Sequence, residues 1–171
     1  MVQGNKYSIW LMPAGRIYTN LSSTIRGISR EYGTPSFEPH VTLIGGPEGS
    51  KEEILIRTSQ LARQIRPYLI TLTSADYLDE YFRCLFVKVR KSKFVMNANL
   101  KASKIFNFKQ YSTYSPHLSL MYGIFSIKEK KEIIKKTDGD LNIKFYAESI
   151  HLFYTLGDPS SWHRIKEFNL S

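Results

Sequence analysis

Residues 7–12 alternate. Tyr7, Ile9 and Leu11 face one way and Ser8, Trp10 and Met12 the other, the period-two pattern of a strand. Pro13 and Gly15 end it. Leu21, Ile25 and Ile28 then recur at helical spacing and predict a helix over 20–32, closed by Gly33 and Pro35. A short strand is expected over 40–44, stopped by Gly45-Gly46-Pro47. Ser50 and Glu53 form a capping box ahead of a helix that carries Ile54, Leu55, Leu61 and Ile65. Two β-rich runs, 69–78 and 82–90, flank the acidic turn Asp79-Glu80 and predict a hairpin. Further helices are expected over 92–106 and 128–136, and strands over 117–122, 143–154 and 162–168. This mixed order predicts an α+β fold with largely antiparallel sheets.

One pattern occurs twice. Phe37-Glu-Pro-His40-Val-Thr42-Leu43 matches Tyr114-Ser-Pro-His117-Leu-Ser119-Leu120, with the second histidine 77 residues after the first. Each copy reads aromatic, any residue, proline, histidine, aliphatic, hydroxyl, leucine. A glycine follows each, Gly45 and Gly123. The duplication predicts two structural halves related by a pseudo-twofold axis. In a strand, residues i and i+2 share a face. His40 and Thr42 therefore point one way, with Val41 and Leu43 in the core; His117 and Ser119 do the same against Leu118 and Leu120. Two imidazoles titrating near neutrality can act as base and acid. Two hydroxyls can donate to the non-bridging oxygens of a phosphate. Together they suit in-line cleavage of a phosphodiester. One histidine activates water and the other protonates the departing ribose oxygen. His151 and His163 lack the accompanying hydroxyl and read as strand or surface residues.

Charge agrees with an anionic ligand. The chain has 171 residues, 24 Lys+Arg and 15 Asp+Glu, a formal net charge of +9. Its 42% hydrophobic and 23% charged residues exclude a disordered or fibrous chain. No apolar run approaches a membrane span, and the polar residues 1–7 show no secretory signal. The single cysteine, Cys84, excludes an intrachain disulfide and makes the cytoplasm the expected location. Mid-strand, it reads as a small buried hydrophobe. A zinc site would want three or four clustered ligands, and there is no phosphate-binding Gly-rich loop ending in Lys-Ser/Thr. No cofactor or metal is expected. The run Lys128–Lys136 reads as the wet face of a helix.

The paired His-x-Thr/Ser motifs resemble the 2H phosphoesterase superfamily, and within it the cyclic phosphodiesterase branch of the plant and fungal type. The likeness extends to Tyr7-Ser-Ile-Trp10 with Pro13, to Glu31-Tyr-Gly-Thr-Pro-Ser-Phe37, to Phe82-Arg-Cys-Leu-Phe86 and to Tyr114–Tyr122. It implies a single bilobal domain over residues 1–171 with a LigT-like fold. Two antiparallel sheets would line a central cleft, with helices outside. It also implies metal-independent hydrolysis, with His40 and His117 as the acid/base pair and Thr42 and Ser119 binding phosphate. Trp10, Phe82 and Tyr122 match substrate-side aromatics of that branch, which would stack a base. As Ser119 + 3, Tyr122 would face away in a regular strand, so a bend before Gly123 is needed to bring it round. Arg83 departs from the branch and is either a second phosphate ligand or a solvated surface charge.

Three functions follow as expectations. The first is an enzyme that opens 2′,3′-cyclic nucleotide phosphates or ADP-ribose cyclic phosphate. The second is the same chemistry on 2′–5′-linked nucleotides such as 2′,3′-cGAMP or 2′–5′ oligoadenylate, in a viral setting. The third is a non-catalytic nucleotide- or RNA-binding module. The expected partner is a nucleotide with a cyclic or 2′-linked phosphate, including RNA ends, bound by a monomer away from any membrane.

Overall fold

A computed structural model describes residues 6–108, 113–137 and 142–171. Residues 1–5, which carry most of the stretch read for a leader, lie outside it. In chain order the elements are β1 (Tyr7–Leu11), α1 (Gly15–Tyr32), β2 (Val41–Gly45), α2 (Lys51–Ala62), β3 (Tyr68–Asp76), β4 (Leu85–Val89), α3 (Lys93–Ile105), β5 (His117–Met121), α4 (Ile127–Thr137), β6 (Lys144–Ala147), β7 (Ser149–Tyr154) and β8 (His163–Asn169). Short 3₁₀ turns occupy Tyr81–Arg83 and Pro159–Ser161. The caps act as the sequence indicates. Gly33, with φ of 64°, ends α1 in the left-handed region, where a side chain would be strained. Ser50 and Glu53 close a full capping box on α2.

The strands form one eight-stranded antiparallel sheet, ordered β6-β3-β4-β5-β2-β1-β7-β8. The two sheets that the family resemblance implies are its two four-stranded halves. They meet between β2 and β5 through a single register pair, Val41 with Leu118. The order is symmetric about that seam: β1-α1-β2 matches β4-α3-β5, and each motif strand lies beside the other. The helices exchange partners. α1 packs over β5 and α3 over β2, where Asn99 Nδ2 donates to the Leu43 carbonyl at 2.8 Å.

Two expectations are corrected. The predicted strand 143–154 is two strands, β6 and β7, broken at Glu148. β6 pairs with β3 in one half and β7 with β1 in the other. Only one residue separates them, so the sheet curls until its flanks come close. Residues 82–83 are not strand but the 3₁₀ turn before β4.

The charged run on α4 also hides an exception. Lys130 is 1% exposed, and its Nζ donates to the Leu78 carbonyl at 2.9 Å and to Asp79 Oδ1 at 2.5 Å. A buried ammonium must be paired to be tolerated. Here the pairing pins the 78–83 turn, which places Phe82 and Arg83. Cys84 just beyond is fully buried, as expected, and burial pushes its thiol up from the ordinary cysteine range.

Candidate active site

The two motifs bring their histidines to one cleft, His117 as the first residue of β5 and His40 one residue ahead of β2 rather than within it as expected. A cavity of about 240 Å³ is lined by His40, Thr42, His117 and Ser119, together with Trp10, Phe82, Tyr122 and Arg83. All eight are candidate residues of the sequence. The pleat does this: Val41, Leu43, Leu118 and Leu120 are buried behind, and the alternate positions face the cleft.

Each imidazole is held in the same way. His40 Nδ1 lies 2.6 Å from the Glu38 carbonyl and His117 Nδ1 lies 2.8 Å from the Ser115 carbonyl. A carbonyl only accepts, so both Nδ1 atoms carry a hydrogen, and each Nε2 is left to the cleft as the atom that takes or gives a proton. In both copies the accepting residue precedes the motif proline, which restricts it to an extended backbone. The proline of the repeat thus fixes the tautomer of the histidine that follows it.

The surroundings break the symmetry. His40 stacks flat on Trp10, with ring centres 3.5 Å apart and planes at 8°. Phe153 stacks on Trp10 at 3.8 Å, necessarily on its other face. Trp10 Nε1 donates to Ser8 Oγ at 2.7 Å. Both faces of Trp10 are therefore occupied, and no base can stack on it. Trp10 touches the cleft as the backing of His40 rather than as an open platform. At the matching position of the other half, Phe86 meets His117 edge-on, with centres 5.1 Å apart. Burial lowers the His40 pKa to about 3, against the Glu38 carbonyl, which raises it. His117 is more open. Burial is the main cause of its lowered pKa, and the Arg83 charge adds to it.

The hydroxyls differ too. Ser119 Oγ donates to the Phe82 carbonyl at 3.1 Å, so the 3₁₀ turn holds it. Thr42 Oγ1 has no hydrogen-bond partner among the described residues. Tyr122 follows the end of β5. Gly123, with φ of 148°, turns the chain there, and a Cβ on it would come within 2.6 Å of Phe125. The side Tyr122 faces is set earlier, within β5: Leu85 pairs with Met121 but Phe86 with Ser119, a bulge at Leu120 that shifts the alternation and brings Tyr122 to the cleft, where one face rests on Phe37 at 3.9 Å. Arg83 forks onto Glu80 through two contacts of 2.7 Å.

The aromatic that opens each motif serves the opposite half. Phe37 of the first copy packs on Tyr122 beside the second. Tyr114 of the second donates its hydroxyl to the Thr42 carbonyl at 2.8 Å. Trp162, not singled out in the sequence, lines the cleft from the β7–β8 connection, 5.9 Å from Trp10 and 6.1 Å from Phe82 between centres. Phe86 is also new, and laying the repeat over β1 and β4 would have found it. His151 is a buried strand residue bonded to Ser149 and Arg164, and His163 is exposed. No three His, Cys, Asp or Glu side chains cluster as metal ligands among the described residues. No helix among them is long and apolar enough to cross a membrane.

A curled antiparallel sheet with one His-x-Thr/Ser motif from each half is the arrangement that the 2H phosphoesterase resemblance implies. Residues 6–148 match the family described as "Cyclic phosphodiesterase-like protein"; the chain belongs to that family and is a phosphodiesterase. It is 25% identical over 135 residues to the cyclic phosphodiesterase of Arabidopsis thaliana, covering 79% of this chain and 75% of that one. Its fold is similar to that of Escherichia coli LigT complexed with 3′-AMP. The TM-score is 0.69 and the identity 14%, with 98% of this chain and 99% of that one covered. LigT complexed with NADP+ gives a TM-score of 0.66 at 14% identity, over 99% of each chain.

Proposed function

We propose that the cleft opens 2′,3′-cyclic nucleotide phosphates, or the cyclic phosphate of ADP-ribose, by paired-histidine acid/base catalysis without a metal. The protein acts as a single bilobal monomer. The observation that carries this reading is the identical clamp on both imidazoles, which leaves two Nε2 atoms for one cleft. The nucleotide complexes of LigT support a nucleotide ligand. Thr42 Oγ1 and Ser119 Oγ donate to the non-bridging oxygens. For this the Ser119 hydroxyl swings away from the Phe82 carbonyl. Water attacks phosphorus while His40 accepts its proton. His117 protonates the departing ribose oxygen, and a monoester leaves.

The asymmetry of burial assigns these roles. His40 is sealed against Trp10 and is neutral before the reaction, so it is the ring able to accept a proton. His117 is nearer the solvent, and the bound phosphate's negative charge favours its protonation. Turnover of a panel tests the function: 2′,3′-cyclic mononucleotides, ADP-ribose cyclic phosphate, 2′,3′-cGAMP and 2′–5′ oligoadenylate, all in EDTA. Cleavage of only the last two would move the substrate to 2′–5′ linkages. Binding without cleavage would leave a nucleotide-binding module. Activity abolished by EDTA would require a metal.

A pH profile tests the roles. The active free enzyme has His40 neutral, which holds above about pH 3, and His117 protonated, which holds only below its lowered pKa. kcat/KM for a cyclic nucleotide is expected to be highest on the acid side of 6.5, the ordinary histidine value, and to fall above it. Arg83→Gln removes a charge that lowers the His117 pKa, so the falling limb moves to higher pH. A profile flat from pH 5 to 9 rules out this assignment.

A further inference from the structure

A second pocket, of about 340 Å³, lies beside the cleft, and Trp10 and Trp162 border both. Helix α1 forms one wall with Tyr18, Ser22 and Arg26, spaced four apart and so on one helix face. The 36–38 segment, which leads directly into His40, lines it as well. Glu38 and His40 are two residues apart, which puts their Cα atoms within about 7 Å. The pocket therefore reaches to the edge of the proposed reaction site.

Its lining is suited to a polar guest. Ser22 is 5% exposed, and its hydroxyl has no hydrogen-bond partner among the described residues. The Tyr18 hydroxyl is close to it but outside hydrogen-bond geometry. A buried hydroxyl is normally paired. Arg26 has no carboxylate partner among the described residues, whereas Arg83 and Arg164 each have one. The one acid in the wall, Glu38, already accepts from Tyr18 Oη at 3.1 Å. A guanidinium without a carboxylate partner, close to one unpaired hydroxyl, can take a phosphate that lies on the Arg26–Ser22 side, away from Glu38.

We propose that this pocket holds a second phosphate of the substrate, one attached to the nucleoside whose cyclic phosphate reacts in the cleft. The proposal rests on the function given above and narrows its substrate class. The second phosphate takes no part in the chemistry, and Arg26 binds it without touching the reacting atoms.

Adenosine 2′,3′-cyclic phosphate and its 5′-phosphorylated form are the probes. kcat/KM is expected to favour the 5′-phosphorylated compound by about tenfold, the scale of one charge-assisted contact. Arg26→Gln should abolish that preference and leave the unphosphorylated substrate unaffected. Equal kcat/KM in the wild type, or a preference that survives Arg26→Gln, overturns the proposal. A preference lost in Arg83→Gln but kept in Arg26→Gln places the second phosphate in the main cleft and overturns it as well. If neither compound is cleaved, the function assigned to the cleft fails. Equilibrium binding of the intact 5′-phosphorylated compound, weakened by Arg26→Gln or not, then decides the pocket alone.

Discussion

His40→Ala and His117→Ala each lower kcat for a 2′,3′-cyclic nucleotide by about 10²–10⁴-fold, the range of a lost general acid or base. The double variant falls little further, because base and acid act as a unit. Substrate binding changes far less, since Thr42 and Ser119 remain. The two variants separate in stability. His40 is buried on Trp10, so its removal leaves a hole against the indole. His117 is only partly buried and meets Phe86 by an edge. Thermal melts of His117→Ala should therefore stay closer to the wild type. Either single variant retaining full turnover would refute the paired mechanism.

Trp10→Ala is expected to lower both stability and rate. The indole is 1% exposed and sits between His40 and Phe153, with its nitrogen held by Ser8. Truncating a buried tryptophan costs about 3–5 kcal/mol. For a chain of this size that is a fall of about 6–20 °C in melting temperature. The remaining molecules turn over slowly, because His40 loses the surface that fixes its plane, and displaced groups react poorly. Trp10→Phe keeps a flat partner for His40 and recovers much of the rate. Circular dichroism melts and kcat measured below the transition separate the two effects. If Trp10→Ala melts and turns over like the wild type, the stack does not position His40.

The proposed catalytic groups were legible because the signal is local. Histidine and hydroxyl two apart in a strand must share a face, and the repeat marks which strands matter. Tyr122 needed one more step, an irregularity before Gly123, and the bulge that supplies it falls at Leu120, a residue type that does not mark it. Tertiary partners left no such mark. Nothing in residues 7–12 shows that both faces of Trp10 are covered, because Phe153 arrives from 143 residues away. Ala147-Glu148-Ser149 contains no proline or glycine, so the alternation runs straight through the change from one half to the other. Lys130 looks like its charged neighbours, and only the placement of Leu78 and Asp79 buries it. Trp162 follows a proline–serine turn with no motif around it.

The path of the chain has a kinetic meaning. Tyr68 pairs with Ala147, so the half bearing His117 begins and ends at adjacent residues and is continuous. The half bearing His40 is interrupted: β1 and β2 must wait for β7 and β8, which arrive only after the whole insert. Loop-closure entropy favours the nearer contacts. The continuous half is thus the natural folding nucleus, and the interrupted half is completed on it. On this path Trp10 meets Phe153 late, so the sealed environment of His40 is among the last parts of the molecule to form.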